Sequence, residues 1–290
     1  MCLRIGCTAI LIALVAVAGV WFLRDGVDDS EASRVEAVRG ETRAGEVPAK
    51  APSGKLPSQG SVSVPGIHLA SVEQKVLELT NRERRRVGRR DLSSEDGLRD
   101  AARSHNHDMF TRRFWGHGNP DGEGPGDRVA RLHRRLIGTV GENIWQSVGL
   151  SSRDSDALAQ RIVESWMGSE GHRENILRDE FTHLGVGITQ EGNELRATQV
   201  FADVWGYLDN PLAGVVQSGT GLDLRARATP GNSSPERFDV VNVKGGRKVA
   251  GPSSVSGARL DVSSGRYQLR FYFPYPGGYQ IVGGPSVEVK

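Results

Sequence analysis

Cysteine is almost missing from this 290-residue chain: Cys2 and Cys7 are the only two, and both lie at the amino end. Everything beyond them must hold together without disulfides, through its own core. Neither sign of charge dominates. The 37 Lys and Arg residues face 35 Asp and Glu, a net charge of +2, which is too mild for a nucleic-acid binder. No stacked aromatics and no helix-turn-helix pattern argue otherwise, so nucleic acid is excluded as a partner.

What is present begins with an apolar run, Ile5 to Leu23, preceded by Arg4 and followed by Arg24 and Asp25. It is long enough for one membrane-spanning helix. It exceeds the usual core of a cleaved signal peptide, yet Ala16-Val17-Ala18 has the small residues of a cleavage site. Two readings stand, an uncleaved single-pass anchor through residues 5–23 or a secreted chain with residues 1–24 removed. Both place the body outside the cytoplasm. Residues 25–66 are rich in Glu, Arg, Ser, Pro, Gly and Ala and nearly free of large apolar side chains, the composition of a flexible linker.

Order is expected from Leu69. Val72, Val76 and Leu79 trace a helix that runs to Val87 and ends at Gly88. Around its end Arg82, Arg84, Arg85, Arg86, Arg89 and Arg90 read as a solvated basic face, with contact to an anionic cell surface as the functional alternative. Ser93 and Asp96 resemble a capping box opening a second helix, whose inner face is Leu98, Ala102, His105 and Met109. A short helix is expected over 127–136, an extended segment over 143–148 and a better helix over 154–167. Leu184, Val186 and Ile188, then Leu195, Ala197, Gln199 and Phe201, make a hairpin about Glu191-Gly192-Asn193. Gly185 and Gly187 leave room for a close neighbour. From about residue 209 the helical pattern stops. Short alternating runs between Gly, Pro and Ser turns predict a small all-β, sandwich-like domain over 209–290.

The chemistry-bearing residues lie between these elements. His117 follows Phe114-Trp115, Glu142 sits in Gly141-Glu142-Asn143, and His172 follows Gly171. Two imidazoles can hold zinc or another divalent metal, and Glu142 can orient one of them or act as base on a bound water. That is the minimum set for metal-assisted hydrolysis, and it also arises by chance, because no His-Glu-x-x-His helix joins the residues. His105 reads as a buried histidine donating to a backbone carbonyl, and Asn143 as a backbone-bonding turn residue. Ser169, beside Glu170, lacks the Gly-x-Ser-x-Gly elbow of a serine nucleophile. Trp115, Trp145 and Trp166 read as core or cleft wall.

Taken in order, Asn81-Arg82-Glu83-Arg84, His105-Asn106-His107-Asp108-Met109, Gly116-His117, Asn119-Pro120-Asp121-Gly122, Gly141-Glu142-Asn143-Ile144 and Trp166-Met167 through His172-Arg173 to Asn175-Ile176-Leu177 resemble the bacterial branch of the CAP superfamily. That superfamily comprises cysteine-rich secretory proteins, antigen 5 and pathogenesis-related proteins. The resemblance covers residues 69–205 and sets the domain at 67–207. It implies an α+β fold, an α-β-α sandwich, ahead of the C-terminal β-domain and behind the anchor or signal helix. It also implies an extracellular cleft lined by two histidines and two acids that can bind divalent metal. Residue by residue these are His117, His172 and Glu142, whereas Ser169 stands where animal and plant members carry the second acid, with Glu170 adjacent. The ligand cleft is therefore expected to hold His117, Glu142, His172, Ser169, Glu170 and Trp115.

Three functions follow as expectations. The first is an envelope module binding a wall, lipid or protein ligand. The second is a metal-dependent hydrolase of peptide or wall material, with His117 and His172 on the metal and Glu142 catalytic. The third is a structural or adhesive surface protein.

Overall fold

Val72, Val76 and Leu79 recur at helical spacing, and in the computed structural model, which describes residues 68–149 and 154–290, they form the buried stripe of α1 (Leu69–Arg86). The helix stops where Gly88 takes φ +75°, a backbone conformation that costs glycine nothing. The apolar run 5–23 and the linker 25–66 lie outside the described residues. Among the described residues, no helix is long and apolar enough to cross a membrane.

Five of the six arginines near the end of α1 are exposed, but Arg84 is wholly buried, which corrects the reading of a solvated basic face. Its guanidinium donates to the carbonyls of Arg90, Ile176, Arg178 and Phe181 at 2.7–3.3 Å. A buried cation is tolerated when its N–H groups are spent in this way.

Next come β1 (Ser93–Ser94) and α2 (Asp96–Thr111). The expected Ser93 cap is not made, because Ser93 belongs to a strand. Glu95 holds the cap position while its side chain turns to His133 and Tyr207. The short helix α3 (Pro125–Leu132) starts and ends earlier than its apolar pattern implied. Pro125 presets its first turn, and Asp127 accepts the N–H of Gly124. The chain then enters β2 (Leu136–Val148), much longer than the segment 143–148 expected. Gly138 and Gly141 conceal its alternation, and each is small for a reason. A Cβ would lie 2.5 Å from the Asp203 carbonyl oxygen at Gly138 and 2.6 Å from the Phe181 ring at Gly141.

Asp154 caps α4 (Ser155–Gly168) by accepting the N–H groups of Asp156 and Ala157. The helix breaks at Ser169, which is extended, and α5 (Glu170–Leu177) begins directly. The hairpin β3 (His183–Glu191) and β4 (Glu194–Leu208) follows.

β4 organises the domain. It lies between β3 and β2, antiparallel to both, and β1 joins β3 in parallel at the far edge. Its residues alternate between two cores. Leu195, Ala197 and Phe201 face α1, α4 and α5 with Trp166, while Val200, Ala202 and Val204 face α2 and α3 with Leu98 and Ala102. The result is an α-β-α sandwich, as the family resemblance implied. Gly185 and Gly187 let α2 lie directly on β3: a Cβ would sit 2.1 Å from Arg99 N and 2.5 Å from Arg103 N respectively.

The remaining strands are β5 (Val215–Val216), β6 (Thr220–Gly221), β7 (Ala226–Ala228), β8 (Arg237–Asn242), β9 (Lys248–Ser254), β10 (Arg259–Leu260), β11 (Gly265–Tyr275) and β12 (Gly278–Val289). Five of them form a second sheet in the order β5-β12-β11-β8-β9, beside a β6–β10 ribbon. Phe238, Leu269, Phe271 and Phe273 fill its core together with Ile137, Leu208 and Trp205 from the first part of the chain. β7 pairs with the end of β4, so the C-terminal part of the chain adds a strand to the first sheet, while side chains join the two sheets.

Candidate functional site

Arg113, in the left-handed region at φ +53°, turns the chain back after α2 and delivers Trp115 and His117 beside that helix. From α2 the buried His105 directs Nε2 at the carbonyl of Gly116, 2.9 Å away. The carbonyl can only accept, so Nε2 carries the proton. Burial lowers the pKa of this imidazole and keeps it neutral, outweighing the attraction of Glu142. Its Nδ1 is buried with no hydrogen-bond partner.

Glu142 projects from β2 with its side chain 1% exposed. Its Oε1 accepts from His117 Nδ1 at 2.9 Å, and its Oε2 accepts from Arg128 Nη2 at 2.8 Å. His105 Nε2 is 3.7 Å from the same Oε1. Burial alone would raise this carboxyl, but the His117 hydrogen bond and the Arg128 charge together hold it below the usual range. It is therefore an anion with both oxygens engaged. The contact fixes His117 with Nδ1 as donor and turns Nε2 away from the carboxylate, on a side chain 49% exposed.

Arg128 lies on α3, is 2% exposed, and was not anticipated from the sequence. Besides Glu142 it donates to the carbonyls of His117 and Glu123, so one guanidinium positions both the carboxylate and the loop carrying the imidazole. Nothing in the local pattern distinguishes it from a solvent-facing arginine of a short amphipathic helix.

Asn143 is not in a turn. It occupies β2 and donates to the His172 carbonyl and to Gln199 Oε1, both at 3.1 Å. Asn175 donates in turn to Asn143 Oδ1 and to the Glu142 carbonyl. These bonds bind α5 to β2 at the site, placing His172 on the third residue of α5 beside the Glu142 strand. Ser169 contributes its backbone, receiving the Arg173 N–H between α4 and α5. Glu170 is exposed on the first turn of α5. Trp115 is 43% exposed at the rim, near Arg196, whose guanidinium stacks 4.0 Å from the Phe110 ring centre and 5.8 Å from that of Trp115. Trp166, by contrast, is core, with its indole N–H on the Ile144 carbonyl.

The donor set does not fit a three-ligand zinc centre. Glu142 has given both oxygens to His117 and Arg128, and a guanidinium at 2.8 Å opposes a second cation there. Among the described residues, no three His, Cys, Asp or Glu side chains come together as a metal-holding group. What remains beside Glu142 is the His117 imidazole.

Residues 77–201 match the family model described as CAP, the cysteine-rich secretory protein family. The uncharacterized protein YkwD of Bacillus subtilis (strain 168) is 33% identical over 144 residues, covering 50% of this chain and 52% of YkwD. The uncharacterized membrane protein YlbC of the same organism is 31% identical over 119 residues, covering 41% of this chain and 32% of YlbC. The chain thus spans about half the length of one relative and a third of the other. A crystal structure of an extracellular protein containing an SCP domain from Bacillus anthracis str. Ames is 32% identical with a TM-score of 0.38, over 46% of this chain and 40% of that one.

Proposed function

Through residues 77–201 the chain is a bacterial member of the CAP superfamily, and we propose that it is an extracytoplasmic module that binds an envelope ligand at His117 and does not hydrolyse it. The observation that carries this reading is the engagement of both Glu142 oxygens, by His117 Nδ1 and Arg128 Nη2, in a carboxylate 1% exposed. A general base must reach the proton it removes, through a free lone pair within hydrogen-bond distance. Glu142 instead orients an imidazole, whose outward Nε2 is open to a hydrogen bond with a polar group of a ligand. The location rests on the apolar run at residues 5–23 and on relatives described as a membrane protein and an extracellular protein.

The test pairs two assays on the full chain. Sedimentation with insoluble wall sacculi and with phospholipid vesicles should show retention that falls in His117→Ala. Incubation with the same sacculi and with denatured casein should release no new termini. Turnover abolished by Glu142→Gln would overturn the binding reading in favour of a hydrolase.

A further inference from the structure

Away from His117, a recess of about 550 Å³ opens between the two sheets' domains. Its near wall is α2, the loop through Glu123, and α3. Its far wall is Arg266 on β11 with Ser286, Val287 and Glu288 on β12. This volume is in the range of small-molecule sites, and neither domain makes it alone.

The charges lining it are unequally spent. Arg128 is turned inward to Glu142, and Arg134 gives its donors to the carbonyls of Ala130, Arg131, Leu212 and Ala213. Both are structural. Glu123, by contrast, is one carboxylate shared by two guanidiniums. Arg131 takes both of its oxygens, at 2.6 and 2.9 Å, and Arg266 reaches it with Nη2 alone, at 3.5 Å. Burial would raise Glu123, yet Arg131 and Arg266 hold it low, so it is an anion already satisfied by its first partner. Arg112 likewise commits only Nη1, to Asp121 Oδ2 at 2.6 Å. Both side chains stay open, Arg266 at 49% exposure and Arg112 at 32%.

We propose that this recess is a second ligand site, which takes a small molecule bearing one anionic group, a carboxylate or a phosphate, on the unspent guanidinium of Arg266 with help from Arg112. A guanidinium offers five donors in a planar fork that matches either anion, and here most of that fork on Arg266 is unused. The carboxylates of Asp108, Asp121 and Glu288 in the same walls repel a polyanion and select a ligand of low charge. The site is separate from His117 and goes beyond the reading given above. Arg128 is the partition, touching Glu142 on one side and lining the recess on the other.

Calorimetric titration of the full chain with N-acetyl-alanyl-alanine, its carboxamide, and glycerol 3-phosphate tests this. Binding of the dipeptide acid but not its amide assigns a carboxylate ligand, and binding of glycerol 3-phosphate assigns a phosphate. Either affinity should fall by about tenfold in Arg266→Gln, measurably in Arg112→Gln, and recover in part in Arg266→Lys. His117→Ala should leave it unchanged. Because the Arg112 guanidinium pairs with exposed Asp121 and, more distantly, with half-buried Asp108, its variant remains informative even where Arg266→Gln perturbs the domain contact. No heat from any probe at millimolar concentration, or equal binding by the wild type and both glutamine variants, would overturn the site.

Discussion

Arg128 Nη2 lies 2.8 Å from Glu142 Oε2, and their side chains are 2% and 1% exposed. The two charges are thus buried as a pair, one from α3 and one from β2, with His117 attached to the second carboxylate oxygen. Removing either partner leaves the other uncompensated in a dry environment, which costs far more than the intact pair contributes.

Glu142→Gln keeps the shape and deletes the charge, so Arg128 is left as an unpaired buried cation. We expect a loss of about 3–5 kcal/mol in chemical denaturation. Glu142→Gln combined with Arg128→Met should be less destabilised than Glu142→Gln alone, because the stranded charge is then gone. A double variant no more stable than the single one would show that the pair is not the source of the cost.

A second carboxylate, Glu95, contributes to the acid dependence of the fold. The hydrogen bond from His133 takes Glu95 from 4.5 to about 2, against the opposing effect of burial and with help from Tyr207. A folded pKa below the unfolded one contributes stability that is complete above the unfolded value and vanishes as pH falls through the folded one. Unfolding free energy should therefore decline between pH 4.5 and about 2, with Glu142 adding to the same trend. Glu95→Gln should flatten this slope by on the order of 2 kcal/mol. An unchanged slope would remove Glu95 from the account.

Gly187→Ala puts a methyl 2.5 Å from Arg103 N, a backbone atom that cannot step aside without moving α2 off the sheet. We expect a loss of about 1–3 kcal/mol. Gly192→Ala makes an informative contrast. Nothing lies within 4 Å of a Cβ there, and φ +58° is the sole obstacle, so its cost should be about 1 kcal/mol. Equal melting temperatures for wild type and Gly187→Ala would contradict the close helix–strand contact.

Zinc should bind weakly. With both Glu142 oxygens committed to His117 and Arg128, the carboxylate is lost as a ligand, and titration of the full chain should show affinity weaker than micromolar, reduced further in His117→Ala. Stoichiometric, tight binding that Glu142→Gln removes would mean that the carboxylate leaves Arg128 to become a ligand.

Much of this protein is legible in its sequence, because the signals are local. The 3.6-residue stripe of Val72, Val76 and Leu79, the alternation of Leu184, Val186 and Ile188, and the Asp154 start of α4 need only neighbouring residues to be read. The order of histidine, glutamate and glycine motifs likewise marks the family and names His117, Glu142 and His172. Other features depend on partners distant in the chain. Arg84 looks like five exposed neighbours until the carbonyls of Ile176, Arg178 and Phe181 close around it. Arg128 is a surface residue by composition and a buried counter-ion by position, and Asn143 is a turn residue until α5 docks against it. Sequence patterning determines which side of an element is apolar, since burying apolar area is non-directional and summed over many residues. Only tertiary structure decides which buried polar group finds which partner. Each such bond needs donor and acceptor within about 3 Å, and that coincidence is made by the packing of whole elements.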